Sequence, residues 1–141
     1  MKEHNGKIFV EGKTHDIGEL IEVVEILRSE KGCEWDRAQT HQTLKRCLRD
    51  ESQEVIDAID NNDDENLCEE LGDLLLQVLM NAQVAKERGA FDFEKVVQGL
   101  TDKLIRRHPH VFGDEDRPST PEESLKLWKK VKEIEKARKN K

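Results

Sequence analysis

The chain has 141 residues, which is long enough for one hydrophobic core but not for two, so the length predicts a single domain. Charged residues make up 39% of the sequence and hydrophobic residues 35%, a balance that favours a compact helical protein over a sandwich or a barrel. The formal net charge of −7 disfavours a broad surface for phosphate backbones, and we therefore expect no nucleic-acid partner.

No apolar run approaches the length of a membrane span, and the start, "MKEHNGKIFVEGK", lacks the apolar core of a signal peptide. We therefore expect a soluble, cytoplasmic protein without a membrane partner. The cysteines Cys33, Cys47 and Cys68 are odd in number and form no CxxC motif, so the sequence suggests neither a disulfide framework nor a zinc site.

Residues 1–16 form a predicted N-terminal arm, in which "KIFVEG" is typical of a short strand or an extended segment. Apolar residues recur at helical spacing from Ile17 onward and predict helix one, with Gly32 placed to end it. The next segment, "CEWDRAQTH", breaks this periodicity and is predicted to be an ordered loop.

Helix two is predicted over about residues 41–61 and helix three over about residues 64–88, separated by the turn and N-cap residues of "NNDDEN" and ended by Gly89. The short connection predicts that these two helices form a central antiparallel hairpin. Helix four begins near Phe93, with Asp92 as its predicted N-cap.

The segment "HPHVFGDEDRPS" contains Pro, Gly and acidic residues and is predicted to be a loop. Helix five follows, with Thr120 as N-cap, Pro121 at the first helical position and Glu123 closing a capping box. The predicted fold is thus all-α, a bundle of about five helices over residues 17–135, followed by a basic C-terminal tail at 136–141.

From Leu74 to Ala85, helix three is apolar on nearly every side, which predicts burial in a bundle or across a dimer interface. Four of its polar residues fall within one sector about 80° wide at 100° per residue. These residues are Glu70, Asp73, Gln77 and Asn81.

Helix two shows a related pattern. Glu51 lies centrally in an apolar stripe, and Glu54, three residues later, borders the same face. The stripe comprises Leu44, Leu48, Val55 and Ala58. Two carboxylate pairs, each spaced i, i+3, can therefore face one another across the hairpin.

Four converging carboxylates in a buried setting require a compensating cation, because each loses hydration and all repel one another. Oxygen ligands without His or Cys favour Mg²⁺, with Mn²⁺ as the substitute, over zinc or copper. We therefore predict a metal site formed by Glu51, Glu54, Glu70 and Asp73. The alternative explanation is a salt-bridged core.

Three stretches resemble the MazG family of nucleoside triphosphate pyrophosphohydrolases, and together they extend over about residues 17–135. They are "CEWDRAQTHQTLKRCLRDESQEVIDAI", "LCEELGDLLLQVLMNAQVAKERGAFDFEKVV" and "KLIRRHPHVFGD". The family motif EExxE followed by ExxD is "DESQE" and "EELGD" in this chain. Two positions depart from the family pattern: Asp50 replaces the first Glu, and Glu34 replaces a Pro between Cys and Trp.

The resemblance implies that the same four carboxylates bind Mg²⁺ and act as the catalytic centre. It also implies an all-α fold that is active as a homodimer or a higher homo-oligomer. The implied reaction is hydrolysis of nucleoside or deoxynucleoside triphosphates between the α and β phosphates, to the monophosphate and pyrophosphate, which clears surplus or non-standard nucleotides.

Substrate-binding candidates come from the basic and aromatic residues and from the polar stripe. In "KLIRR", Lys103 and Arg107 resemble the family's phosphate contacts, although a basic helix end also complements the helix dipole. Trp35 and Trp128 are candidates for stacking on the base, or for core packing, and Asn81 is a further candidate contact.

Two alternatives to this activity stay open. One is a narrower pyrophosphatase of the same fold, acting on dCTP, dUTP or phosphoribosyl-ATP. The other is a catalytically silent, dimeric nucleotide-binding regulatory module, in which Asp50 would mark the lost activity.

Overall fold

The computed structural model describes residues 1–140 of the chain. By their contacts these residues form two compact parts, the first comprising Met1–Phe93 and the second beginning at Glu94. The elements, in chain order, are β1 Glu3–His4, β2 Lys7–Ile8, α1 Ile17–Leu27, α2 Glu34–Ala38, α3 His41–Asp60, α4 Asp64–Glu87, α5 Phe93–Arg107, α6 Pro109–Phe112 and α7 Pro121–Lys139.

The prediction of an all-α fold is confirmed, and long helices lie where the sequence pattern places them. Two short helices, α2 and α6, occupy segments that were predicted as loops, and that part of the prediction is wrong. Helix α6 begins at Pro109, whose fixed φ and missing N–H suit the first helical position. Among residues 1–140, no helix combines the length and the apolar character that a membrane span needs.

The N-terminal arm contains a two-stranded antiparallel hairpin, in which Glu3 pairs with Ile8 and His4 with Lys7. Its turn residues, Asn5 and Gly6, have φ values of +53° and +76°. Asn-Gly favours this left-handed pair of conformations, which matches the twist of the flanking strands.

Helix α1 ends at Leu27, so the prediction that Gly32 ends it is wrong. The N–H of Arg28 still bonds to Val24 O, after which the chain turns back and Cys33 N–H bonds to Leu27 O at 2.8 Å. Gly32 is needed in this turn for another reason, since a Cβ there would overlap the carbonyl oxygens of Ile26 and Leu27.

Helices α3 and α4 pack closely against one another and are joined by residues 61–63. Thr40 caps α3 in a capping box with Thr43, and the Asp63 carboxylate caps α4 by accepting from Asn66 N–H. Gly89, at φ +74°, follows the end of α4, and Ala90 N–H bonds back to Ala85 O. Capping residues in the sequence thus fix the length and the ends of both helices.

The core of the first part is formed by α1, α3 and α4. The buried residues of this cluster are Val24, Leu44, Leu79 and Met80, with Leu20, Ile21, Leu75, Val84 and Phe93 packed against them. This core supports the C-terminal half of α4, and Glu70 and Asp73 lie in the half of α4 nearer the connection to α3.

Helix α7 in the second part begins as predicted, with Thr120 Oγ1 accepting from Glu123 N–H at 3.2 Å and Pro121 at the first helical position. The Glu123 carboxylate bonds to the backbone N–H and hydroxyl of Ser119. Its partner is therefore one residue earlier than in the predicted capping box. The helix continues through Lys139, and Lys141 of the predicted tail lies outside the described residues.

Candidate metal centre

Helices α3 and α4 bring the predicted carboxylate pairs together. One ligand oxygen each of Glu51, Glu54, Glu70 and Asp73 can be chosen so that all lie within 4.8 Å of one another. Each pair is spaced i, i+3 on its helix, so both side chains of a pair project from the same face. The cluster therefore depends on the packing of one helix face against the other.

The carboxylates are only partly open to solvent. Glu51, Glu70 and Asp73 are half-buried, whereas Glu54 is exposed. Glu51 Oε2 and Glu70 Oε2 are buried and have no hydrogen-bond partner among residues 1–140. Buried carboxylate oxygens without a donor are costly, so this arrangement favours an external positive partner.

The surroundings of the cluster favour protonated carboxyl groups in the absence of a cation. A hydrogen bond with Glu54, burial, and repulsion by the neighbouring carboxylates raise the pKa of Glu70 to about 7. Burial, followed by the charges of Glu54 and Asp73, also raises the pKa of Glu51. A cation can replace the shared proton and relieve the same repulsion.

The donor set fits a small divalent cation. Mg²⁺ prefers octahedral oxygen ligation, and four carboxylate oxygens within 4.8 Å of one another are close enough to converge on one such ion when their side chains move inward. The exposed side of the cluster at Glu54 leaves access for water and for an anionic ligand.

Asp50, which replaces the first Glu of the family motif, lies outside the cluster. Its side chain is 65% exposed and faces Arg46 on the same helix, at an Oδ2 to Nε distance of 4.0 Å. The four-carboxylate cluster is therefore complete without a contribution from this position.

The polar stripe of α4 continues past Asp73 with Gln77 and Asn81. Gln77 is buried, and its Oε1 atom has no partner in the described part of the chain. Asn81 lies further along the helix and is engaged, accepting from His41 Nδ1 at 2.9 Å and donating to the backbone carbonyl of Gln77 at 2.8 Å. These bonds tie the start of α3 to α4.

Trp35 is carried by α2 and is 59% exposed, so it is not a core residue of the first part. Arg28 fixes the position of α2 by donating from Nη1 to the carbonyls of Asp36 and Gln39, at 2.5 and 3.0 Å. The same guanidinium group makes a two-point ion pair with Glu87 of α4, at 2.8 and 2.9 Å. Trp35 is thus an exposed aromatic side chain on a firmly held support.

In the second part, Arg107 and Trp128 come together. The Arg107 guanidinium lies 5.7 Å from the centroid of the half-buried Trp128 ring, and the Lys132 ammonium lies 4.3 Å from it. Arg107 also pairs with Glu135 at 3.2 Å. Lys103, on the same helix as Arg107, is half-buried.

The two histidines around Pro109 have different surroundings. His108 Nδ1 donates to the carbonyl of Leu104 at 2.6 Å and so caps the end of α5. His110 Nδ1 is buried and has no partner within residues 1–140. The ring centroids lie 5.6 Å apart.

The sequence analysis did not single out Glu135, which pairs with both Arg106 and Arg107. A signal for it exists, because Glu135 follows Trp128 by seven residues and Val131 by four and therefore shares their helix face. The same phase argument that identified Glu51 on α3 applies to this carboxylate.

Fold and cluster together define a class: an all-α domain in which two packed helices supply a cluster of four carboxylates that could hold a cation. A family model described as the MazG nucleotide pyrophosphohydrolase domain matches residues 39–112, which include all four carboxylates. The chain belongs to this family.

Two curated relatives carry related names. The nucleoside triphosphate pyrophosphohydrolase/pyrophosphatase MazG of Thermotoga maritima is 54% identical over 121 residues, covering 86% of this chain and 46% of the relative. The nucleoside triphosphate pyrophosphohydrolase of Escherichia coli K12 is 43% identical over 126 residues, covering 89% of this chain and 48% of the relative. The chain thus spans about half the length of these relatives.

A solved structure is similar over nearly its whole length. The crystal structure of a mazG-related protein from Thermotoga maritima superposes with a TM-score of 0.69 at 34% sequence identity, covering 83% of this chain and 99% of that one. This similarity supports the assignment to the family.

Proposed function

We propose that the chain hydrolyses nucleoside and deoxynucleoside triphosphates between the α and β phosphates, releasing the nucleoside monophosphate and pyrophosphate. The observation that carries this proposal is the four-carboxylate cluster, with its buried, unpartnered oxygens on Glu51 and Glu70. Membership of the family and the names of the relatives support it.

In this proposal Glu51, Glu54, Glu70 and Asp73 hold Mg²⁺, for which Mn²⁺ can substitute, and so form the catalytic centre. The bound cation would neutralise the triphosphate and polarise the phosphorus that is attacked. The carboxylates hold the cation in place, and their charge disfavours a phosphate at the cluster until the cation is bound.

The proposed substrate contacts are the basic, aromatic and amide side chains predicted from the sequence. Lys103 and Arg107 would bind phosphate oxygens, for which the planar guanidinium group is suited. Trp35 and Trp128 would stack on the base, and the exposure of Trp35 supports its part in this. Asn81 is the further contact, although both of its side-chain polar atoms already have partners.

We also propose a homodimer, or a higher homo-oligomer, built around an antiparallel α3–α4 hairpin. The support is apolar surface that the described chain leaves uncovered on these two helices. The exposed residues are Leu48, Ile56, Ile59, Leu71, Leu76 and Val78.

The test is a panel of ribo- and deoxynucleoside triphosphates, including dCTP and dUTP, incubated with Mg²⁺ and the parent protein or Glu51→Gln. We expect the parent to release pyrophosphate and monophosphate and Glu51→Gln to release neither, because the amide removes a charged ligand from the cluster. Glu65→Gln is the matched control, since Glu65 is exposed in the first turn of α4 and should keep parent activity.

Other outcomes would contradict or narrow the proposed activity. Orthophosphate together with a diphosphate would contradict the proposed cleavage position. Turnover confined to dCTP or dUTP would identify a narrower enzyme of the same fold. Nucleotide binding without any product would favour the silent regulatory module, and Asp50→Glu would then be expected to restore activity.

A further inference from the structure

Gln77 is the one buried polar residue among residues 1–140, with 7% of its surface exposed. Its side-chain carbonyl oxygen, Oε1, has no hydrogen-bond partner within the same residues. A buried carbonyl without a donor destabilises the folded state, so its presence calls for an explanation.

The position of Gln77 on α4 connects it to the carboxylate cluster. It follows Asp73 by four residues and Glu70 by seven, and at about 100° per residue it lies between them on the same helix face. Helical side chains lean toward the N-terminus of their helix. The Gln77 side chain therefore leans toward the turns that carry Asp73 and Glu70.

The next polar residue on the stripe, Asn81, does not donate to Gln77 Oε1. Asn81 Nδ2 donates to the backbone carbonyl of Gln77 instead, and Asn81 Oδ1 is used by His41. No side chain of the polar stripe donates to this oxygen among residues 1–140, and a bound water would supply the donor. A divalent cation of the Mg²⁺ type keeps several waters when it binds to carboxylates, and each water carries O–H donors.

We propose that Gln77 Oε1 accepts a hydrogen bond from a water in the hydration shell of the cation held by the carboxylate cluster. Gln77 is then a positioning residue, which acts on the cation through that water. This inference rests on the proposed function, because it requires the cation site. It explains why an amide is buried here although an apolar side chain would suit the metal-free fold better.

The experiment measures two quantities on each variant. One is the affinity for Mn²⁺, by calorimetry or by the electron paramagnetic resonance signal of free Mn²⁺, and the other is the melting temperature in EDTA. Gln77→Met keeps a long, unbranched side chain but has no amide. We expect its Mn²⁺ affinity to fall about tenfold, as is usual when a partner of the metal's ligands is lost. Its melting temperature in EDTA should equal or exceed that of the parent, because an unpaired carbonyl has been removed.

Two further variants separate this role from a structural one. Gln77→Glu keeps an acceptor oxygen at the same place and should retain at least the parent's Mn²⁺ affinity, while melting lower in EDTA at neutral pH because it adds a fifth carboxylate. Gln98→Met is the matched control, since Gln98 is exposed on α5 and its side-chain amide donates to Asp102 on the same helix. It should leave Mn²⁺ affinity unchanged.

The inference is overturned if Gln77→Met binds Mn²⁺ as the parent does, or if Gln77→Glu loses affinity as Gln77→Met does. A parent that binds no Mn²⁺ would overturn both this inference and the proposed cation site. A parent that binds Mn²⁺ and releases pyrophosphate, beside a Gln77→Met variant of equal affinity, would overturn the inference alone.

Discussion

In each part of the chain, a side chain of a proposed binding site already interacts with another group. A bound ligand would have to displace that group. In the carboxylate cluster, a hydrogen bond with Glu54, burial and the other carboxylates raise the pKa of Glu70 to about 7, which favours a proton there in the absence of a cation. In the second part, the group to be displaced is Glu135, whose pKa is lowered by its hydrogen bonds from Arg106 and Arg107. Glu70 and Glu135 each lead to a separate prediction.

The raised pKa of Glu70 predicts an unusual pH dependence in the metal-free protein. Between about pH 4.5 and about pH 7 the folded state holds a proton that the unfolded state has lost, so stability should fall as pH rises through this window. Thermal unfolding in EDTA, at pH values on either side of the window, measures this effect.

The control for this prediction is Glu70→Gln, which has no group to titrate. Ion-paired carboxylates such as Glu87, whose pKa is lowered by Arg28, make stability rise with pH and so oppose the effect of Glu70. The pH dependence of the parent must therefore be compared with that of Glu70→Gln. If the two proteins show the same pH dependence in EDTA, Glu70 does not hold the proton.

If Arg107 binds phosphate as proposed, Glu135 should compete with the substrate's phosphates for the Arg107 guanidinium group. Because its carboxylate occupies the Arg107 guanidinium group, Glu135→Gln should free Arg107 and lower KM for a nucleoside triphosphate severalfold, with kcat unchanged. Steady-state kinetics of pyrophosphate release measure both constants. Glu133→Gln, the same substitution at an exposed position of α7, should leave KM and kcat unchanged.

A rise in KM for Glu135→Gln would show instead that the ion pair holds Arg107 in the orientation that binds phosphate. That outcome would make Glu135 a support for the site and would contradict competition.

At the scale of the elements, local sequence signals determine where the long helices begin and end. Contacts between residues distant in sequence determine the structure of the segments between those helices. Thr40, Asp63 and Gly89 mark the ends of α3 and α4 through bonds to residues within one turn. Periodicity and capping could therefore predict these helices, and helical phase alone predicted the carboxylates that face one another.

Helix α2 was missed for the opposite reason. Its carbonyls are bonded by Arg28, which is itself held by Glu87, a residue 59 positions further along the chain. The unpartnered state of Gln77 Oε1 and the pairing of Glu135 likewise depend on packing and partners, which no single-sequence pattern displays.

Arg28 should therefore be important for stability. Arg28→Met removes the donors to two carbonyls of the α2 segment and the ion-pair partner of Glu87, so we expect the free energy of unfolding to fall by about 2–3 kcal/mol. Denaturant unfolding measures the loss, and amide hydrogen exchange over residues 34–39 should accelerate.

The control is Arg37→Met, because Arg37 makes an exposed ion pair with Glu34 three residues away. A change of this kind costs at most about 0.5 kcal/mol. Equal losses for the two variants would contradict the special role of Arg28.

At the scale of the whole molecule, the described chain leaves apolar side chains uncovered along the helices that carry the site. On α4, Leu71, Leu74 and Val78 share a face at spacings of three and four residues, and Leu71 and Val78 are 49% and 40% exposed. On α3, Ile56 and Ile59 are 49% and 55% exposed. Contiguous apolar faces of this kind are typical of surfaces that associate with another molecule.

A second copy of the chain is the proposed cover for this surface, and it predicts a parent protein that sediments at about twice the mass of one chain. Val78→Lys places a charge within the α4 face and should shift the protein toward the monomer, because an unpaired ammonium group cannot be buried cheaply in an apolar contact. Ile8→Lys is the matched control: Ile8 is 53% exposed but lies in β2, outside the α3–α4 pair. Sedimentation velocity over a range of concentrations measures the mass of all three proteins. A monomeric parent would refute the homo-oligomer, whereas a dimeric parent with an equally dimeric Val78→Lys would move the interface to a different surface.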